Sequence, residues 1–146
     1  EIAKNKIQFG KKQVQVLSDE EKEILAIYQA AKSFISNKKV QLFDEGIILD
    51  QLNFPTLDQL KYQLSILLAG SVATKLFFNK EILVYKSELD QAYELAEQIV
   101  NTFKLNNLTS TELIKDVKKS LHIKLEDNEK IILEKKEILL KDEVVF

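Results

Sequence analysis

Apolar residues recur at intervals of three and four over most of this 146-residue chain, a rhythm that predicts helices. Ser18-Asp19-Glu20-Glu21 places a hydroxyl and a carboxylate three residues apart, in the register where each side chain satisfies the other's backbone N–H at a helix start. Behind it Ile24, Tyr28, Ala31 and Ile35 share one face, and Asn37-Lys38-Lys39 ends the segment. A second helix starts at Pro55-Thr56, with Thr56 and Gln59 again in capping-box register and Leu57, Leu60, Leu64, Leu67, Leu68, Val72 and Leu76 as its stripe. A third begins near Ser87, with Leu89, Ala92, Tyr93, Ala96, Ile99, Val100 and Phe103 spaced as a core face. Thr109 and Glu112 open a fourth, running through Leu113, Val117 and Leu121.

Two stretches break the helical rhythm. Residues 40–43 and 47–49 are short apolar runs on either side of Asp44-Glu45-Gly46, which predicts a small β hairpin near residues 40–50. The tail from about Asp127 to Val144 reads as helix with weak amphipathicity, and its Ile131-Ile132-Leu133 and Ile138-Leu139-Leu140 runs fit short strands as well. The expected class is mainly α, one domain over residues 1–146, with 1–17 as a lead-in segment.

Composition narrows the chemistry. Hydrophobic residues make up 45% of the chain, enough for a substantial core, and the net charge of −2 gives no general attraction to nucleic acid. All 21 basic residues are Lys, so bidentate guanidinium recognition of phosphate is absent. Without Cys there are no disulfides, thiolate metal sites or cysteine nucleophiles. His122 is the sole imidazole, which excludes an all-histidine metal site within one chain and reads as a surface or core-edge side chain. No apolar run approaches a membrane span of about 20 residues, and no signal-peptide pattern opens the chain. The start at Glu1, without a Met, suggests a piece of a longer protein.

Two stretches carry a family resemblance. The run from Leu17 to Ser33 contains Ser18-Asp19-Glu20-Glu21-Lys22 followed by Ala26-Ile27-Tyr28-Gln29-Ala30-Ala31-Lys32. The run from Leu68 to Asn79 reads Leu68-Ala69-Gly70-Ser71-Val72-Ala73-Thr74-Lys75-Leu76-Phe77-Phe78-Asn79 and continues into Ser87-Glu88-Leu89-Asp90-Gln91-Ala92. Both resemble the peptidase domain of the FtsH family of ATP-dependent membrane zinc proteases. Ile7-Gln8-Phe9-Gly10 is similar to that family's lead-in from the ATPase module, and the C-terminal region to its closing helices. A family segment between the third and fourth helices looks shortened here to residues 104–110.

The resemblance implies a zinc site whose ligands are gone. In the family, two His one helical turn apart bind zinc, the intervening Glu activates water, and a later carboxylate completes the metal site. Carried over, the His positions fall on Tyr28 and Lys32, the general base on Gln29, and the third ligand on Glu88. A neutral phenol is a poor ligand, an ammonium repels zinc, and an amide takes no proton from water. Only Glu88 keeps ligand chemistry, so no catalytic residue, no metal and no cofactor is expected. A carboxylate without its metal needs another counter-charge, and Lys32 is the residue to supply it; the alternative is that both side chains reach solvent.

The remaining features read as structure. The spacing of Phe77, Phe78, Tyr93 and Phe103 fits core packing better than a peptide-binding stripe. Gly70 inside an apolar helix fits a close helix–helix approach. Ser71 and Thr74 stand where the family carries Arg and Glu, and Lys135-Lys136 reads as a solvated face.

The function this implies is that of a pseudopeptidase module, scaffolding, regulating or binding protein partners. The parent would be a membrane-anchored, ring-forming ATPase complex, with the domain on the cytoplasmic side and any membrane contact made by an upstream anchor. Two rivals stand beside it: an active zinc metallopeptidase with unorthodox ligands, and a free-standing helical interaction domain in the cytoplasm. The chain carries no P-loop, so these residues bind no ATP in that manner.

Overall fold

A computed structural model describes residues 6–9, 12–46, 49–105, 108–142 and 144–145. The fold is mainly α. Among the described residues five helices carry it: α1 (Asp19–Ser36), α2 (Leu57–Phe78), α3 (Lys86–Phe103), α4 (Ser110–Asp127) and α5 (Glu129–Asp142). Two short antiparallel pairs accompany them. β1 (Lys6–Phe9) pairs with β2 (Lys12–Gln15), Ile7 facing Val14, and β3 (Val40–Gln41) pairs with β4 (Val144–Val145), Val40 facing Val145.

Local chemistry sets the helix ends. Ser18, Thr56 and Thr109 each accept the N–H of the residue three further on at 3.1 Å, while Glu21, Gln59 and Glu112 accept the capping residue's own N–H at 2.9 Å. All three boxes expected from the sequence are closed in both directions. At the other ends Asn37, Asn79 and Lys104 turn the chain with φ of 57°, 57° and 50°. Asn tolerates this left-handed conformation through local hydrogen bonding, whereas Lys104 adopts it at a steric cost.

The core is built around α1 and α2. Residues Leu25 to Ser33 of α1 are buried without interruption, as are Ile66 to Gly70 of α2, so both helices are covered on nearly every side. α1 lies against α2 and α5, while α2 also packs on α3 and α4. Small residues allow the close approach: Ala26, Ala30, Ala31, Ala69, Ala73 and Ala96 are all fully buried. Tyr62 on α2 donates from its hydroxyl to the Ile35 carbonyl at 2.8 Å and satisfies one of the last carbonyls of α1.

Two expectations, those for Tyr93 and Lys136, change on contact with the tertiary structure. The β element near residue 40 is present as β3, which pairs with β4; Ile47 and Ile48, in the expected second arm, lie outside the described residues. The chain turns directly after Gln41, because the Asp44 carboxylate accepts the Gln41 N–H at 3.2 Å and the Asp44 N–H returns to the Gln41 carbonyl. The isoleucine-rich tail is helical throughout α5, with Ile132 and Leu139 in the core and Ile131 and Ile138 outside it. Tyr93 is 46% exposed, to one side of the buried line Glu88, Ala92, Ala96 and Ile99 on α3; Phe77, Phe78 and Phe103 do pack against the core. Lys136 is no solvated charge: it reaches from α5 to Glu23 on α1 at 3.3 Å and also meets Glu137.

The cap analysis yields a stability test. Thr109→Ala removes the acceptor for the Glu112 N–H and should lower stability by about 1 kcal/mol in a urea titration. An unchanged midpoint would show that α4 is held by packing alone.

Candidate functional site

Tyr28, Gln29 and Lys32 lie in the buried middle of α1, and Tyr28 and Lys32, one turn apart, point the same way. Glu88 comes from the first turn of α3, sixty residues from Tyr28. The partial positive charge at that helix start favours a carboxylate there. Tyr85, at the N-cap of α3, makes no side-chain cap bond; its ring meets the Tyr28 ring edge-on at 5.5 Å and 85°.

These residues close on one another. The Lys32 ammonium donates to Glu88 Oε2 at 2.5 Å, and the Tyr28 hydroxyl donates to Glu88 Oε1 at 2.6 Å. Tyr28, Lys32 and Glu88 are each only 1% exposed. The ammonium also stands 5.2 Å and 5.4 Å from the ring centroids of Tyr28 and Tyr85, within cation–π range. Gly70 makes the room, since a Cβ there would run into the Tyr28 ring; Gly46 lies beside Glu88 Oε2 and is needed for its φ of 84°, not for space. The close approach expected at Gly70 is therefore an approach to this one ring.

Gln29 faces a different set of atoms. Its Nε2 donates to the carbonyls of Leu42 at 3.1 Å, Asp44 at 2.5 Å and, more weakly, Gln41 at 3.3 Å. Its Oε1 has no hydrogen-bond partner among the described residues. Three carbonyl oxygens converging on one nitrogen require a donor there. A carboxylate at the same position would set lone pairs against lone pairs. The amide thus holds the 41–44 turn against α1.

Burial lowers the Lys32 pKa from its ordinary 10.5, and the charge of Glu88 pulls against that shift. Burial, then Glu88, raises the Tyr28 phenol far above its ordinary value, so it stays a donor. Burial, then Glu45 and Glu88, pushes the Tyr85 phenol up to about 12.

This donor set does not fit zinc. Both oxygens of Glu88 are already taken by an ammonium and a phenol, and the amide of Gln29 is turned to backbone carbonyls. Among the described residues no group of three His, Cys, Asp or Glu side chains is gathered for a metal. His122 stands exposed on α4 beside Glu126. Of the four positions singled out from the sequence, 28, 32 and 88 come together while 29 turns to the 41–44 carbonyls, and of the two arrangements open to Lys32 and Glu88 the buried pair is the one adopted. Tyr85 and Gly46 were not foreseen; the missing polar N-cap before Ser87-Glu88 is the signal that points to Tyr85. No family model matches the chain, and no curated protein matches it in sequence.

The pair itself can be tested. Glu88→Gln leaves the Lys32 ammonium buried without a counter-charge and should cost roughly 3–5 kcal/mol. Replacing both partners, as Lys32→Met/Glu88→Leu, should recover much of that loss, because no charge is then desolvated. A double variant as unstable as the single one would contradict the account.

Alkaline pH gives a second check. Between pH 10.5 and about 12 the unfolded chain has lost the Tyr85 proton that the folded chain keeps, so stability falls as pH rises through this range. Lys32 acts in the opposite direction, but its contribution is complete once the unfolded lysine has titrated near 10.5. Tyr85→Phe should therefore lose stability less steeply than the parent above pH 10.5, measured by urea midpoints. Parallel slopes would refute the raised phenol.

Proposed function

We propose that this chain is a non-catalytic, FtsH-type peptidase-like domain that scaffolds or binds protein partners within an ATPase complex of the membrane-anchored, ring-forming kind. The observation that carries this reading is the placement of the Lys32 ammonium against Glu88. In the active relatives a metal cation would neutralise the carboxylate at this position, and here a side-chain cation does so. The positions matched to the zinc motif lie 56 and 60 residues from Glu88 in sequence and nevertheless meet, which supports the alignment on which the reading rests.

The chemistry agrees with loss of hydrolysis. Water activation needs a metal or a general base beside an open space. Position 29 carries an amide committed to three carbonyls, and Tyr28, Gln29, Lys32 and Glu88 are each at most 1% exposed. A peptide bond has no access to this spot in the folded chain. Among the described residues no helix is long and apolar enough to cross a membrane, so membrane attachment would belong to another segment or subunit.

Two measurements on purified protein decide the reading. The parent should hold no stoichiometric zinc by elemental analysis and leave casein intact; zinc binding with cleavage would overturn it. Tyr28→His/Lys32→His, which sets two imidazoles one turn apart facing Glu88, should bind one zinc ion per chain. Failure of the folded double-His variant to take up zinc would sink the peptidase-like ancestry while leaving the buried pair untouched.

A further inference from the structure

α2 and α4 line a groove of about 410 Å³ with residues that the buried cluster does not use. On α4 its wall is Lys115, Lys118, Lys119 and His122, the i, i+3, i+4, i+7 pattern of one helix face. On α2 the corresponding line is Val72, Lys75, Leu76 and Asn79, which puts two apolar side chains at the floor between the lysine stems. Glu81 is the only acidic side chain of the lining, and Lys75 engages it at 2.8 Å. Among the described residues Lys115, Lys118 and Lys119 form no ion pair. Four lysines against one carboxylate, on a chain whose net charge is −2, is a local excess that the fold does not neutralise. The field is felt by Glu81, whose carboxyl is held below its usual range first by the Lys75 hydrogen bond and further by Lys118.

We propose that this groove docks an acidic protein segment that inserts an apolar side chain between Val72 and Leu76. The proposal rests on the partner-binding reading above and adds where the partner sits and what chemistry it presents. Charge complementarity selects an acidic partner. The apolar floor and the matched stripes on two helices are the arrangement that receives an amphipathic segment. Nucleic acid is the poorer fit: among its described residues the lining has no Arg for bidentate phosphate contacts and no Phe, Tyr or Trp for base stacking. A lipid surface is poorer still, because the apolar residues lie at the bottom of a concavity, whereas membrane-binding faces present theirs outermost.

Fluorescence anisotropy with a short fluorescein-labelled peptide of repeating Glu and Leu tests the proposal on the full chain. Binding should weaken with added salt, as screened charge attraction does. Lys115→Glu/Lys119→Glu, on exposed positions of the wall, should weaken it by about tenfold or more. Lys130→Glu/Lys141→Glu makes the same change of net charge on exposed positions of α5 and should leave binding near the parent's. The idea is overturned by absent binding, by equal loss in both variants, or by equal affinity for a peptide of Glu alone. Tighter binding of duplex DNA or of phosphatidylserine vesicles than of the peptide also overturns it. None of these outcomes bears on zinc uptake by the double-His variant, so the two proposals fail separately.

Discussion

A lysine ammonium and a glutamate carboxylate sealed in the middle of a helical core constrain everything placed around them. Each charge alone would be strongly unfavourable in that environment, and together they hold only if geometry and hydrogen bonding are complete. The structure meets that condition from several directions. α1 supplies Lys32 and Tyr28 one turn apart, the N-terminal turn of α3 supplies Glu88 where the helix dipole favours a negative charge, and two tyrosine rings present their π faces to the ammonium. Gly70 leaves space that any side chain would close. This one contact ties the first turn of α3 to α1, with α2 against the Tyr28 ring at Gly70.

Such a pair is a poor source of stability, since well-packed apolar residues of similar volume generally do as well or better. Its presence therefore calls for a reason other than strength. Under the proposed peptidase-like reading, a metal site without its ligands would supply one: the carboxylate would remain, and Lys32 would neutralise it without rebuilding the core. Gln29 acts as a structural clamp: an amide is close in size to a glutamate, yet it donates where three carbonyls converge.

α2 links this interior to the outer surface. One side accommodates the Tyr28 ring at Gly70, and two residues on, Val72 begins the stripe that floors the lysine groove. The buried cluster holds α1, α2 and α3 together, while α4 contributes the charged wall without touching the cluster's chemistry. A buried charged cluster and a lysine-lined groove are thus compatible in one small helical fold, because they use different faces of the same central helix.

How much was legible beforehand follows from the range of each interaction. Helix starts at Ser18, Thr56 and Thr109, the stop at Asn37, and the stripe ending in Ile99 and Phe103 could be read from the residues alone, because caps and amphipathic spacing operate within three or four positions. Only the tertiary structure decided that β3 pairs with β4 across about a hundred residues, that Lys136 is tied to Glu23, that Tyr93 faces outward, and that Lys32 meets Glu88 instead of water. Those outcomes depend on which helix covers which face. A lysine is as ready to be solvated as to be buried, and its fate is settled by whether a distant carboxylate arrives at hydrogen-bonding distance when the helices pack.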